Sequence, residues 1–490
     1  TGDDVMPQLT ALRSAQPPVQ ELQSGAPLPA KVLTANAYLG ALPIKAALDA
    51  GAQNVITGRC VDSAVTLGAL MHAFNWSATD YDLLSAGSLA GHILECGCQA
   101  TGGLHTDWQD VPDWAHIGYP IAECHEDGSF TVTKPPGTGG LIAPQCVAEQ
   151  LLYEIHDPAA YLLPDVRCDW RDVRIERGDR DHVRVSGARG SAPPHSYKVS
   201  ATYMDGFKTS AQLTVIGFDA VAKARRTGEA IVERVNDMLV ALAIPALAAT
   251  EIEVIGAESA YGPHAQRALA RAREAVLRIT AWHPDKAALQ LLTREVAPAG
   301  TSWAPGTTGA GGRASVSPSI RQYAFLLDKA LISAAVQLNG RTVAIAQPPT
   351  ETDHPDIAAP VAVASAPMPL TGHAVAADEC DWTEVPFIRL AWARSGDKGD
   401  ISNIGVVARR AEWVPILRAE LTTTRVASYL AHLVKGRVTR YELPGIHAFN
   451  FVSEQALGGG GMASLCNDPL GKGMAQILLS MPVRVLTASL

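Results

Sequence analysis

At 490 residues the chain is too long for one hydrophobic core, so two or three domains are expected. Hydrophobic residues make up 47% of it and charged residues 18%, which excludes an intrinsically disordered protein. The formal net charge of -9, the scattered Lys and Arg, and the lack of an apolar run of spanning length exclude a nucleic-acid partner and a membrane protein.

The N-terminal region predicts α/β architecture. Residues 1–30 have the composition of a connector, with a short helix near 5–13. Strand 31–37, helix 43–50, strand 54–57 and helix 64–74 then follow at the spacing of a parallel sheet, with Asp62 or Ser63 as N-cap of the last helix. Because the chain opens directly on this pattern, earlier strands of the same sheet are expected to be missing, and the chain reads as a fragment or a processed product.

The middle of the chain predicts an α+β region. It is rich in glycine from 87 to 140, and a helix is expected over 147–154. Alternating β-type composition covers 173–215, followed by a long amphipathic helix at 217–243, a strand at 251–255 and a second long helix at 264–280. The Pro-, Ala- and acid-rich stretch 347–384 predicts an extended linker. Residues 1–346 are therefore expected to form one region and 385–490 a compact C-terminal α+β domain.

Eight dispersed cysteines predict reduced thiols and a cytoplasmic location. Cys96 and Cys98, together with His92, offer a partial zinc ligand set, but buried inert thiols explain this pattern better because no second close cysteine pair exists. A nucleophilic Cys96 is disfavoured, since the neighbouring Glu95 would raise its pKa. No G-x-S-x-G elbow supports a serine hydrolase.

The charged heptapeptide 394–400, Arg-Ser-Gly-Asp-Lys-Gly-Asp, lies between two apolar runs of strand composition. It predicts a loop that is either a structural turn closed by its own ion pairs or a ligand site. Asp397, Asp400 and Asn403 offer oxygen ligands to Mg²⁺ or Ca²⁺, whereas Lys398 offers a partner for a substrate carboxylate, and we favour the latter. Catalytic roles for Asp397, Lys398 and Asp400 are predicted.

Three glycine loops, 137–140, 306–313 and 458–461, could present backbone N–H groups to a phosphate. None has the G-x-G-x-x-G or P-loop pattern, and each by itself is also explained as a turn. The first two loops have a cation beside them. Together they give the following predicted anion- or cofactor-binding residues: Lys134, Gly137, Thr138, Gly139, Gly140, Gly306, Gly309, Gly311, Gly312 and Arg313.

Acid/base candidates in the first region are His92, Glu95, Asp62 and Glu123. His92 and Glu95 are three residues apart, which places them on one helical face, where a His beside a carboxylate can move a proton near neutral pH. The alternative is a core histidine satisfied by a neighbour. Arg59 at a strand end could bind a carboxylate or thioester oxygen, or could only pair with Asp62.

Several of these motifs together resemble the acyclic terpene utilisation family of the AtuA type. The resemblance covers nearly the whole chain and lies in segments 36–40, 56–63, 91–103, 118–123, 134–140, 149–158 and 161–166, and in 395–405 of the C-terminal part. It implies a C-terminal ferredoxin-like domain. Family members carry a further segment ahead of Gly2, so the resemblance also implies that this chain is truncated.

The resemblance implies a role in the catabolism of branched acyl-CoA compounds beside biotin-dependent carboxylases. Two functions are therefore expected. The first is a lyase or hydratase that acts on a branched or carboxylated acyl-CoA thioester, with His92 and Glu95 moving the proton and Arg59 and Lys398 stabilising negative charge. The second is a non-catalytic subunit or scaffold of a carboxylase assembly. A homo-oligomer is expected in either case, and a divalent metal stays open as a cofactor.

Overall fold

The computed structural model describes residues 1–309, 312–345 and 382–489. Its α-helices are α1 Leu9–Arg13, α2 Leu42–Asp49, α3 Ala64–Ala73, α4 Tyr81–Leu94, α5 Pro144–Leu152, α6 Ala220–Ala241, α7 Lys286–Glu295, α8 Ala299–Ser302, α9 Val414–Glu420, α10 Thr423–Tyr429 and α11 Met474–Leu479. Its strands are β1 Thr34–Ala37, β2 Ile121–Cys124, β3 Phe130–Thr133, β4 Tyr161–Leu162, β5 Arg167–Asp169, β6 Arg174–Arg177, β7 Val183–Ser186, β8 Arg189–Ser191, β9 Ser196–Ile216, β10 Ala249–Ile255, β11 Glu274–His283, β12 Thr307–Thr308, β13 Val316–Asp328, β14 Val336–Leu338, β15 Arg341–Val343, β16 Trp382–Pro386, β17 Ala391–Lys398, β18 Ile401–Ala408, β19 Val438–Leu443, β20 Ala448–Ser453 and β21 Pro482–Leu486.

Strand β9, with 21 residues, joins two hydrophobic cores of the first 345 residues, which we call the N-terminal block. It pairs with β1, β11, β12 and β13, and β10 extends the sheet beyond β11. Near its start, Val199 and Ala201 pack with β1 and β13, whereas Leu213 and Val215 near its end pack under α6 and α7. The same strand therefore positions its first residues beside the segment that follows β1.

A third core lies between helices α2–α5 and two small antiparallel sheets, β2-β3-β7-β6 and β4-β5-β8. Leu67, Leu89, Leu151 and Trp170 are buried in it. Burying an aliphatic side chain of this kind contributes about 1.5–3 kcal/mol, so the core fixes the relative positions of these helices. Helix α5 lies at its edge and faces residues 382–489, which we call the C-terminal block.

The C-terminal block is built on the antiparallel sheet β17-β18-β20-β19. Alternate residues of its strands face opposite sides, as the period of two requires. Ala393, Ile404 and Phe451 pack on α9–α11 within the block, whereas Val407 and Ala448 on the other face join the core that contains α5. The sheet therefore docks on the N-terminal block through one whole face.

The expected parallel N-terminal sheet is wrong, because the ladders between the named strands are antiparallel. Strand β1 pairs with β9, more than 150 positions later, rather than with the next strand in the chain. Residues 54–57 do not form a strand, although Leu39 and Cys60 make an isolated parallel bridge. Mixed helix and strand content is correct, but the strand–helix–strand order of 31–57 does not produce a βαβ unit.

The predicted helix 264–280 is also wrong, because its first half contains a short 3-10 helix at Arg267–Arg271 rather than an α-helix and its second half is a strand. Residues Glu274–His283 form β11, which pairs along its whole length with β9. The Ala- and Arg-rich composition favours a helix locally, but Leu277, Ile279 and Ala281 alternate into the core with a period of two. The predicted linker 347–384 lies outside the described residues except for its last three, which begin β16. Among the described residues, none of the helices has the length and hydrophobicity needed to cross a membrane.

Candidate functional site

The heptapeptide 394–400 is mostly strand and not the predicted loop. Arg394 to Lys398 belong to β17, and β18 begins at Ile401, so only Gly399 and Asp400 form the turn. Because side chains alternate along a strand, Arg394, Gly396 and Lys398 share the face that meets the N-terminal block. Asp397 points to the other face.

Two glycines let this face approach the end of α5 closely. A Cβ added at Gly396 would lie 2.6 Å from Cγ of Glu154, and one added at Gly405 would overlap Cβ of Leu152. Just beyond α5, Asn403 donates to the carbonyl of Leu152 (2.7 Å) and accepts from the N–H of Glu154 (2.9 Å). The chain after α5 is therefore held directly by β18.

At one end of this interface, Arg394 lies in a sealed polar network. Its side chain is 4% exposed and donates to Gln99 (2.8 Å) and to the carbonyl of Gly103 (2.8 Å). Glu149 lies 3.5 Å from Arg394 and accepts from Thr106 (2.5 Å) while contacting Nδ1 of His105 at 2.6 Å. With so little solvent access, this network holds the two blocks together rather than binding a ligand.

At the other end of the interface, Lys398 lies in a solvent-reached cluster. Its ammonium is 2.6 Å from Oε2 of Glu154, and Lys472 from the C-terminal block is 3.3 Å from Oε1 of the same carboxylate. Lys472 also lies 3.6 Å from Asp397 and contacts the hydroxyl of Tyr153. The side chains of Lys398 and Lys472 are each 37% exposed, so a small molecule can reach them.

Glu154 adopts a left-handed backbone conformation, with φ of 57°. Such conformations are uncommon in residues other than glycine, and they concentrate at functional sites where the surrounding structure enforces them. Here the hydrogen bond from the Glu154 N–H to Asn403 and the two lysine contacts enforce it. The strained residue is the one that joins the two lysines.

The charge of Lys398 acts on the protonation of further groups in this cluster. Burial raises the pKa of Asp62, and Glu95 adds to the increase while Lys398 opposes it. Burial also raises the pKa of Tyr161, so its phenol stays protonated. Burial alone would lower the pKa of Lys398, but Tyr161 and Glu154 raise it above its ordinary value. We call Asp62, Glu95, Glu154, His156, Tyr161, Asp397, Lys398 and Lys472 the junction cluster.

Burial shifts the pKa of Asp397 and of His156, two members of the junction cluster, well away from the ordinary values. Burial, helped by Glu154, raises the pKa of Asp397 to about 6. Burial, helped by the charges of Lys198 and Lys398, lowers the pKa of His156 to about 4, so its imidazole is neutral at pH 7. With a pKa of about 4 the neutral imidazole is a weak proton acceptor, whereas an acid with a pKa near 6 exchanges protons close to neutral pH.

Sequence reasoning missed Glu154, His156 and Lys472. Glu154 is the last residue of the predicted helix 147–154, His156 lies two residues beyond it, and no spacing links Lys472 to residues more than 300 positions earlier. The signal that was present is the polar pair following an apolar helix, directly before Asp157-Pro158. Of the predicted catalytic residues, Asp62, Glu95, Asp397 and Lys398 are brought together in the junction cluster. Arg59 lies near its edge, where its charge acts on the pKa of Asp62.

His92 does not have the predicted freedom to move a proton. It is 1% exposed, and its Nε2 donates to the carbonyl of Leu151 (3.1 Å). Its Nδ1 lies 3.1 Å from Glu95, so the predicted pairing of these two residues is present. Both ring nitrogens are thus engaged, and the imidazole acts as a packed core residue between α4 and α5. Glu123 lies exposed on β2.

The glycine loops do not converge on one ligand. In the loop 137–140, Gly139 and Gly140 donate to the carbonyls of His116 and Pro112, and Lys134 donates to the carbonyl of Thr138. In the loop 458–461, the N–H of Gly459 donates to Asp400 (2.9 Å), as does that of Leu457. The turn carboxylate of Asp400 is thus bound within the protein and is not positioned for catalysis.

The loop 306–313 is separate from both. Gly306 accepts from Ile216 at the far end of β9, and Arg313 donates to Thr293 (3.0 Å) and to the carbonyl of Gln290. Gly309 and Gly312 are exposed, and Gly311 lies outside the described residues. A surface cavity of about 460 Å³ near Arg234 and Trp303 contains none of the predicted site residues.

The predicted divalent-metal set is not assembled. Asp400 accepts from backbone N–H groups, Asn403 binds the chain after α5, and Asp397 lies beside Lys472. In the part of the chain that the structure describes, no three His, Cys, Asp or Glu side chains are grouped as metal ligands. Burial raises the pKa of Cys96, which disfavours a nucleophilic thiolate there.

Two family models match this chain. One, described as acyclic terpene utilisation family protein AtuA, matches residues 1–338. The other, described as the AtuA ferredoxin-like domain, matches residues 385–484. No curated protein and no solved structure matches the chain.

Proposed function

Because the chain belongs to the acyclic terpene utilisation family AtuA, with a C-terminal ferredoxin-like domain, we propose that it is a lyase or hydratase acting on a branched or carboxylated acyl-CoA thioester. The observation that carries this proposal is the meeting of Lys398 with Glu154 across the block interface, beside His156 and Tyr161. These residues combine a neutral base, a protonated phenol and a cation at one solvent-reached place.

A hydratase adds water across the carbon–carbon double bond of an enoyl thioester. The imidazole of His156 accepts a proton from water, and the water oxygen bonds to the β-carbon of an enoyl thioester. The carbon–carbon π electrons move to the thioester oxygen as an enolate, which the ammonium of Lys398 and the phenol of Tyr161 stabilise. The α-carbon then takes a proton from Asp397, whose pKa of about 6 lets part of it remain protonated near neutral pH. The proton held by His156 finally passes through solvent to the Asp397 carboxylate, which restores both groups.

The roles of the lysines differ from those of simple surface cations. Lys398 and Lys472 share the carboxylate of Glu154, which keeps both in place without fully neutralising them. A preorganised cation that faces developing negative charge needs no reorganisation during the reaction, and this is the main source of electrostatic catalysis. His92, held by Leu151, has no part in this scheme.

The test uses the full chain and two probes, 3-methylcrotonyl-CoA as a branched thioester and glutaconyl-CoA as a carboxylated one. Loss of the conjugated thioester absorbance measures hydration. We expect turnover with at least one probe, and a decrease of about 10²–10⁴-fold in kcat for His156→Gln, the usual loss when a general base is removed. His72→Gln, an exposed histidine beside Asp49, is the matched control. No turnover and no thermal stabilisation with either probe would overturn the proposal.

A second candidate is a non-catalytic subunit of a biotin-dependent carboxylase assembly. It is favoured by four exposed large apolar side chains, Leu104, Trp108, Trp114 and Tyr119, which lie 54–69% exposed within 16 positions of the chain. Exposed aromatic residues of this kind are enriched at protein interfaces. Co-purification with a biotinylated protein, lost in Trp108→Ser, together with no thioester response, would favour this candidate. A homo-oligomeric state and a cytoplasmic location stay predictions.

A further inference from the structure

Three side chains from distant parts of the sequence form a row beside the junction cluster. Tyr38 directly follows β1, and its N–H donates to the carbonyl of Lys198 on β9 (2.9 Å). On the other side, Leu39 and Cys60 form a parallel bridge in which the Leu39 N–H donates to the carbonyl of Arg59 (3.1 Å). Lys198, Tyr38 and Arg59 are therefore neighbours on adjacent segments, with the tyrosine in the middle. We call them the cationic row.

Both cations of the row contact the tyrosine ring. The guanidinium carbon of Arg59 lies 4.6 Å from the ring centroid of Tyr38, and the ammonium of Lys198 lies 6.0 Å from it. An exposed cation–π contact of this kind contributes about 0.5–1 kcal/mol. One such contact would cover the ring. A second cation on the same ring adds like-charge repulsion, so packing alone does not explain the row.

Neither cation is neutralised. Within the described residues, the side chains of Arg59 and Lys198 make no hydrogen bond and have no carboxylate oxygen within 4 Å, and both are exposed. Asp3 accepts from the backbone N–H of Arg59 (2.9 Å) and makes no ion pair with its guanidinium, and Asp62 and Glu21, whose charges interact with Arg59 and Lys198, respectively, both lie beyond ion-pair distance. Lys398 and Lys472, by contrast, share Glu154.

The row lies within electrostatic reach of the reactive groups. The charge of Lys198 acts on the pKa of His156, and the charge of Lys398 acts on the pKa of Lys198. Arg59 and Lys398 both act on Asp62. The row and the junction cluster therefore border one region, with the unpaired cations on one side and the acid/base groups on the other.

We infer that Lys198, Tyr38 and Arg59 form the seat of an oxyanion carried by the ligand, a carboxylate or a phosphate. The planar guanidinium can donate two parallel hydrogen bonds to such a group, and the ammonium supplies a second full charge. The inference rests on the proposed function only in placing that anion on the substrate. It adds that this site binds a negative group apart from the reacting thioester, either a carboxylate on the acyl chain or a phosphate of the CoA.

Amine footprinting tests the seat without requiring turnover. The full chain is acylated with a lysine-selective reagent, and the rate at each lysine is read by peptide mass spectrometry. The probes are glutarate and inorganic phosphate, each matched in ionic strength with KCl because general screening also affects reactivity. At three times its dissociation constant a bound probe leaves about one quarter of the sites free, so acylation of Lys198 should slow about fourfold. Lys45, which pairs with Asp49 on α2, is the internal control.

Two variants complete the test. In Arg59→Met, protection of Lys198 should fall to less than half, whereas Arg437→Met, which removes an exposed arginine paired with Glu454, should leave it unchanged. Protection by glutarate alone identifies a substrate carboxylate, and protection by phosphate identifies a phosphate of the thioester handle. Equal acylation of Lys198 with and without both probes, or full protection in Arg59→Met, would overturn the seat. Hydratase activity with an unprotected Lys198 would contradict the seat alone, and a protected Lys198 without turnover would contradict only the proposed reaction.

Discussion

Arg394 and Lys398 lie four residues apart on the same face of β17, and each meets a glutamate of the N-terminal block. Arg394 meets Glu149 within α5, with both side chains at most 4% exposed. Lys398 meets Glu154 just after α5, with side chains 37% and 20% exposed. In both pairs a cation on β17 meets a carboxylate of the N-terminal block. The pairs differ in access to solvent.

Because of this difference, the two ends of the interface have different roles. At the sealed end, Gln99, Gly103, His105 and Thr106 satisfy most of the polar atoms of the pair, and both side chains are at most 4% exposed, so a ligand cannot reach them. At the open end, two lysines share one carboxylate and face solvent, so an anionic ligand can replace part of that pairing. Removing a sealed charge should therefore cost stability, and removing an open charge should cost ligand binding.

The largest effect is expected for Arg394→Met. Removing one partner of a buried ion pair leaves the other charge uncompensated, which typically costs about 3–5 kcal/mol. Denaturant unfolding measures the change, with Arg418→Met as control because that arginine pairs with Glu442 on the surface and should cost less than about 1 kcal/mol. Equal losses in the two variants would remove the distinction between sealed and exposed pairs.

A smaller effect is expected for Gly405→Ala. The added methyl would overlap Leu152, so α5 and β18 must separate, at a cost of about 1–3 kcal/mol for overpacking. Limited proteolysis between the blocks should become faster as well. Gly300→Ala is the matched control, since a Cβ there meets no atom within 4 Å. A stability of Gly405→Ala equal to that of Gly300→Ala would show that the interface is looser than described.

Asp397 gives the open end a pH dependence. Its folded pKa of about 6 is above the unfolded value of about 3.9, so ionisation destabilises the fold. The stability of the wild-type protein relative to Asp397→Asn should therefore be highest below pH 4 and fall by about 1–3 kcal/mol as the pH rises to 6. Asp49→Asn is the opposite control, because hydrogen bonds from Lys45 and His72 lower the pKa of Asp49. A constant difference between Asp397→Asn and wild type from pH 4 to 6 would contradict the raised pKa.

Local patterns predicted several helices of the N-terminal block. Helices α2, α3, α5 and α6 lie within a few residues of the predicted spans, because caps, glycines and apolar periods act over short distances. The strand order could not be predicted in this way. The pairing of β1 with β9 depends on contacts across more than 150 positions, and these override the local preference of residues 274–280 for a helix.

The sequence predicted Asp397 and Lys398, which lie on β17, as site residues. It did not indicate Glu154, His156 or Lys198. Lys398 and Asp397 could be predicted because a charged segment between two apolar runs indicates either a structural turn or a ligand site. Glu154, His156 and Lys198 follow ordinary helix and strand patterns, so nothing local distinguishes them. The catalytic role predicted for His92 depended on its spacing to Glu95, and the two residues do pair. The carbonyl of Leu151 that also holds His92 lies on a different helix, so the sequence could not indicate it.

The most direct test of the account compares ligand-dependent stability of Lys398→Met with that of the wild type. Without ligand, Lys398→Met should lie within about 1 kcal/mol of wild type, since its ion pair is partly exposed. Glutaconyl-CoA at ten times its dissociation constant should stabilise the wild-type protein and the surface control Lys45→Met by about 1.4 kcal/mol, and Lys398→Met by less than half of that. If Lys398→Met instead keeps the full stabilisation by the thioester, or loses as much stability without ligand as Arg394→Met, the open end of β17 is not the ligand site.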